Sequence, residues 1–206
     1  MRVVIALIAG LLAAATPALA QDRFPPLAPG AMTPEQKAIA DAIIATRGSM
    51  NGPFNAWLRD PTLADRLQKV GEQIRFHTSL PSALNEFAIL ITARHWTSQF
   101  EWYAHYPLAM KAGLEPAIAA DLAVGERPAV MTQDEAAIYD FSTSLHATGD
   151  VSDATYKLVL DRFGEKGVID LIAVNGYYDL VSMTLNVARV SVPAGTPLPL
   201  KSLQED

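Results

Sequence analysis

Two four-residue stretches limit what this chain can fold into more than any other feature. Thr33-Pro34-Glu35-Gln36 and Thr132-Gln133-Asp134-Glu135 each set a threonine where its hydroxyl can accept the backbone N–H three residues on. Gln36 or Glu135 can reach back to the threonine's own N–H, which makes each stretch a helix start. Pro34 stands at the first helical position, where a missing N–H costs nothing. Gly48, Gly113, Gly125 and Gly164 sit where a left-handed residue would end a helix. Between these marks apolar residues recur at helical spacing, as in Leu63, Leu67, Val70 and Ile74. No run alternates between apolar and polar residues beside a hairpin turn signal. The chain therefore reads as an all-α bundle of about seven to eight helices with short connections. The stretch 49–61 reads as a long loop containing Phe54 and Trp57, and Gly164 separates the last two helical segments.

The N-terminus "MRVVIALIAGLLAAATPALA" has one arginine, a short apolar run and an Ala18-Leu19-Ala20 ending. This pattern predicts a cleaved secretory signal peptide at 1–20 and a periplasmic or secreted protein. The expected organisation continues with an extended proline-rich arm at 21–31 and a single helical domain at 32–190. An extended tail at 191–206 follows. No stretch after the leader reads as long and apolar enough to span a membrane. Cleavage removes Arg2 and takes the net charge from −6 to −7, with 15 basic against 22 acidic residues. An acidic chain without a basic cluster argues against nucleic acid and anionic membranes as partners, but not against a small anion. The absence of cysteine excludes thiol catalysis, disulfide redox chemistry and thiolate metal sites. No phosphate loop, zincin motif or nucleophile elbow occurs.

The chemistry-bearing stretch is "EFAILITARHWTSQFEWYAHYPLAMKAG", residues 86–113. Ser98, Glu101 and His105 share one helix face, and Arg94 joins them if the helix continues back to it. Trp102 borders that side. Glu86 lies within an apolar segment, either at the helix's first exposed turn or buried, where a carboxylate needs a cation or hydrogen bonds. Arg94 and His105 are its candidate partners. A carboxylate beside an imidazole raises the imidazole's pKa and makes a proton-transfer pair, while an arginine can hold an anion. Spacing alone favours an ordinary i,i+4 helix pair with Arg94 solvated. Glu-x-x-x-His also puts two metal-ligand types on one face, but no second histidine is near in sequence, and no metal site is assigned.

The order Glu86, Ala93-Arg94, Glu101-Trp102-x-x-His105, then Ala-x-x-x-Gly-Leu, resembles the carboxymuconolactone decarboxylase family, which has the alkyl hydroperoxidase D-like fold. The resemblance covers roughly residues 50–190. In the redox branch a Cys-x-x-Cys occupies the positions of Ser98 and Glu101, so both thiols are absent and the Glu86 and His105 proton-relay positions remain. The resemblance implies a cofactor-independent lyase or isomerase, decarboxylase-like, acting on a small cyclic or aromatic carboxylated compound such as a lactone. It implies His105 as general acid/base, Glu101 and Glu86 setting its state, and Arg94 holding the anion. It also implies a homo-oligomer, a trimer or hexamer, around which the proline-rich arms would wrap. Two alternatives stand beside it: a non-catalytic periplasmic small-molecule-binding protein, and a metal-dependent variant using Glu and His ligands.

Ser98, Trp102, Trp57, Tyr178 and Asn186 are the expected substrate-binding residues. Trp57, with Asn55 and Arg59, lies in a loop long enough to act as a lid; Tyr178 and Asn186 lie on an apolar helix from which they could reach the pocket as donors, although core tyrosines satisfied by structural partners fit the same pattern. His77 and His146 fall near helix ends, and His95 reads as structural.

Overall fold

The computed structural model describes residues 22–201; the expected leader at 1–20 and the last five residues of the tail lie outside them. Eight α-helices and one 3-10 turn make up the described residues, with no strand among them. The helices are α1 Pro34–Arg47, α2 Phe54–Trp57, α3 Pro61–Phe76, α4 Ser82–His95, α5 Gln99–Ala112, α6 Pro116–Ala123, α7 Gln133–Thr148 and α8 Asp153–Ala188. Both capping boxes form. The Gln36 N–H donates to Thr33 Oγ1 at 3.2 Å, and Thr33 N–H donates back to Gln36 Oε1 at 3.0 Å. Glu135 and Thr132 make the same exchange at 3.2 and 2.7 Å. The stretch read as a loop contains the short α2, which buries Phe54 and Trp57.

The core is organised around α4. From Leu84 to Arg94 every residue of this helix is buried, because α5, α7 and α8 pack around it with α6 closing a further side. Such a helix has no solvated face, so its polar residues must find partners inside. Thr92 Oγ1 lies 3.2 Å from Asn175 Oδ1 on α8 and 3.1 Å from His146 Nε2 on α7. Asn175 Nδ2 donates to Ser142 Oγ on α7. This chain of polar contacts ties three helices in one register. His95 stacks on His146 with ring centroids 4.7 Å apart, and burial lowers the pKa of His146.

The connection between α4 and α5 decides where the site forms. A helix continuing back from His105 to Arg94 would put Arg94 on the same face as Ser98, Glu101 and His105. Instead the chain reverses at Trp96–Ser98, with Thr97 in the left-handed region (φ 48°) and Ser98 N–H donating to Ala93 O at 2.8 Å. A β-branched residue there is strained. The result is an antiparallel helical hairpin that folds the end of α5 back along the start of α4. Glu86 and His105 therefore meet, while Arg94 stays at the turn, about 12 Å along α4 from Glu86 at 1.5 Å per residue.

The long α8 breaks at Gly164 (φ 68°, ψ 179°), where the two sequence segments were divided. Only glycine adopts that backbone conformation without strain. By length and mean hydropathy (1.2), α8 could cross a membrane, which corrects the sequence reading of this segment; half of its most apolar stretch is buried inside the protein. Leu171, Val174 and Val181 all point into the core.

Each arm makes a contact with the body of its own chain. Arg23 N–H donates to Ala188 O at 2.8 Å. At the other end Leu200 is buried in the core.

Candidate functional site

His105 is held between two carboxylates. Its Nδ1 lies 2.7 Å from Glu86 Oε2, and its Nε2 lies 3.0 Å from Glu101 Oε1. All three residues are buried, with relative exposures of 4%, 8% and 3% for His105, Glu86 and Glu101. A carboxylate can only accept, so an imidazolium donating from both nitrogens satisfies the geometry. Burial pushes the His105 pKa down, but the charges and hydrogen bonds of Glu101, and then those of Glu86, outweigh it and raise it from 6.5 to about 9. At neutral pH His105 therefore holds its proton between the two carboxyl groups.

Glu101 and His105 line a cavity of about 250 Å³. Glu86 sits behind them, on the far side of the imidazole. Tyr178 lies edge-on to the imidazole, ring centroids 5.1 Å apart, and lines the same cavity with Tyr177. Burial raises the pKa of Tyr178 well above the ordinary phenol value and that of Tyr177 to about 12, so both phenols stay protonated and can donate. Tyr177 fits because residue 71 is glycine: a Cβ there would lie 2.1 Å from the Tyr177 hydroxyl.

Two cations face this cavity, and neither is the one expected. Arg47, in the last turn of α1, and Arg75, in the last turn of α3, both line it. Arg47 lies over the Phe54 ring at 4.9 Å, donates from Nη2 to Gln68 O at 3.1 Å, and keeps a buried Nε with no partner among the described residues. In sequence each reads as an ordinary cation near a helix C-terminus. Nothing local told that these two helix ends converge on α5.

Arg94 is elsewhere. Its guanidinium donates to Ala123 O at 3.2 Å, Thr97 Oγ1 at 3.3 Å and Lys201 O at 2.8 Å. The helix reversal at 96–98 separates it from the cavity, so it does not hold an anion beside His105. Ser98, the N-cap residue of α5, is fully buried and lines a different cavity. Asn186 is exposed and donates to Trp96 O at 2.8 Å. Trp102 is buried and stacks on Tyr106, outside the cavity lining. Trp57 donates to Thr184 Oγ1 at 3.0 Å and packs edge-on against Phe54 and Tyr177, which backs the cavity wall without entering it. Of the expected site residues, His105, Glu101, Glu86 and Tyr178 come together. Among the described residues no group of three or more His, Asp or Glu side chains is arranged to hold a metal ion.

These features define an all-α protein with a buried carboxylate–imidazole–carboxylate cluster beside a small cavity flanked by two guanidiniums. Comparison with protein-family models, with curated proteins and with solved structures gives no match.

Proposed function

We propose that this chain is an exported, cofactor-independent lyase or isomerase that moves a proton on a small cyclic or aromatic carboxylated compound such as a lactone. We place it with the carboxymuconolactone decarboxylase family on the sequence resemblance over 86–125. The observation that carries the reading is His105 clamped between Glu86 and Glu101 at a cavity lined by Arg47 and Arg75. Two carboxylates, one imidazolium and two guanidiniums leave one positive charge for an anionic substrate.

The roles follow from position. Arg47, with its unmet Nε donor, and Arg75 hold the substrate carboxylate or the enolate oxygen. Glu101 faces the substrate. Both nitrogens of His105 are already engaged, so its proton reaches the substrate by way of Glu101, and Glu86 holds the imidazole's other side. In a decarboxylation the C–C bond to the carboxylate breaks and its electron pair enters the enolate. CO2 leaves, the carbon takes the proton relayed from His105 Nε2, and solvent restores it. In an isomerisation Glu101 removes a proton from carbon and returns it at another position. Substrate, export and a trimeric or hexameric state belong to the same proposal and rest on the resemblance and the leader sequence.

The second reading, a binding protein without chemistry, is favoured by one observation: neither His105 nitrogen is free in this geometry. Incubation in D2O with carboxylated γ-lactones and aromatic acids, read by mass spectrometry, separates the two. The lyase or isomerase reading expects loss of CO2 or deuterium on carbon for at least one compound. Ligands that raise the melting temperature with no product across the panel would establish the binder.

A further inference from the structure

A second and larger cavity, about 820 Å³, lies between the start of α5, the end of α8 and the C-terminal segment 190–198. This segment is a strap fixed at both ends. At its start Arg189 takes the left-handed conformation that ends α8 (φ 58°), and Val190 N–H donates to Leu185 O at 3.1 Å. At its far end Leu200 is buried, and Gln99 grips its main chain on both sides: Leu200 N–H donates to Gln99 Oε1 at 3.2 Å, and Gln99 Nε2 donates to Leu200 O. Arg94 adds a hydrogen bond to Lys201 O. Between the anchors the strap turns at Pro193–Thr196, with Thr196 N–H donating to Pro193 O at 3.1 Å.

The space beneath it is walled by Phe100, Leu185, Val190, Val192, Pro193 and Leu198, with no acidic residue in its lining. Its size falls within the range of about 300–1,000 Å³ usual for small-molecule sites, which are mostly apolar with a few placed polar groups. The one fully buried polar residue in the lining is Ser98. Its Oγ has no partner among the described residues. Buried hydroxyls are normally satisfied, and an orphan one points to a missing partner. Ser98 is also the N-cap residue of the 14-residue α5, yet its side chain caps nothing. No acceptor among the described residues meets the backbone N–H of Gln99, Phe100 or Glu101. An uncapped helix N-terminus favours an anion through these donors and the helix dipole. Arg189, also in the lining, makes no ion pair among the described residues and adds positive charge.

We infer that the groove beneath the C-terminal strap binds a monocarboxylic acid with an apolar body. Ser98 Oγ and the free N–H groups at the start of α5 hold the carboxylate, and the strap covers the apolar part. Phe100 lines both this groove and the Glu101–His105 cavity, so the two sites share one wall, while the polar side chains lining each are different. The binding site stands whether or not the smaller cavity is catalytic.

Calorimetry on the full chain with decanoate and decan-1-ol, beside NMR of the backbone amides, tests this. Decanoate should bind at least about tenfold more tightly than the alcohol, since charge-assisted bonds exceed neutral ones. It should move the amides of Gln99, Phe100 and Glu101. Ser98→Ala should weaken decanoate about five- to tenfold, the loss of one hydrogen bond, and leave the alcohol unchanged. Should Ser98→Ala fail to fold, Arg189→Gln serves in its place, with decanoate weakened about two- to threefold and the alcohol unaffected. Equal binding of acid and alcohol, no binding of either, amide shifts confined to Tyr177 and Tyr178, or variants that leave decanoate binding unchanged would each overturn the assignment.

Discussion

Replacing His105 with alanine is expected to destabilise the protein by about 3–5 kcal/mol, the usual cost of stranding a buried charge. Glu86 and Glu101 would then face each other across a cavity with no cation between them, both almost wholly out of water. Like charges so placed can relieve the penalty only by taking up protons. The deficit, measured by urea unfolding of both proteins, should therefore be largest near neutral pH and should narrow in acid. The clamp on both ring nitrogens makes the loss one of stability as well as of any turnover. A deficit below about 1 kcal/mol at neutral pH, the range of exposed ion pairs, would mean that His105 is not the shared cation.

Glu101→Gln separates chemistry from stability. The amide keeps the size and can still accept from His105 Nε2–H, but it cannot carry a proton. In the deuterium and CO2 assay its turnover should fall about 100- to 10,000-fold, the usual contribution of a placed acid or base, while KM changes far less. The folded state should survive, since the buried charge left behind is an ion pair of Glu86 with the imidazolium. Turnover within tenfold of the native protein would remove Glu101 from the relay and return the cluster to a purely structural role.

The helical class was legible because it is written locally. Thr33, Thr132, Gly48 and Gly113 each mark an end by backbone chemistry that needs no knowledge of the rest of the fold. Glu101 and His105 were legible for the same reason, one helical turn apart on α5. For Glu86 the apolar segment allowed an exposed first turn or a buried, partnered acid, and only the resemblance set it beside His105. Arg94 failed because the reversal at Trp96–Ser98 carries no proline or glycine. It is made by Thr97 in a conformation its side chain disfavours, and no local rule announces it. Asn186 and Trp57 failed because facing a pocket depends on how helices rotate against each other. Arg47 and Arg75 went unnoticed for a related reason. They stand far apart in sequence and come together only through the packing of α1 and α3 and their joint approach to α5. Leu200, near the end of the tail, packs into the core of its own chain, a contact that no local pattern in the proline-rich segment announces.

If the Glu86–His105–Glu101 cluster stores a proton at neutral pH, the ¹⁵N resonances of the His105 ring report it directly. The folded pKa of about 9 lies above the ordinary 6.5. The cluster's contribution to stability is therefore complete below about pH 6.5 and is lost as pH rises through about 9, by the linkage between proton binding and folding. A titration should find both ring nitrogens protonated at pH 7.5, both N–H groups hydrogen-bonded, and a single transition near pH 9. A neutral ring at pH 7.5, titrating near 6.5 with one nitrogen free, would contradict the account.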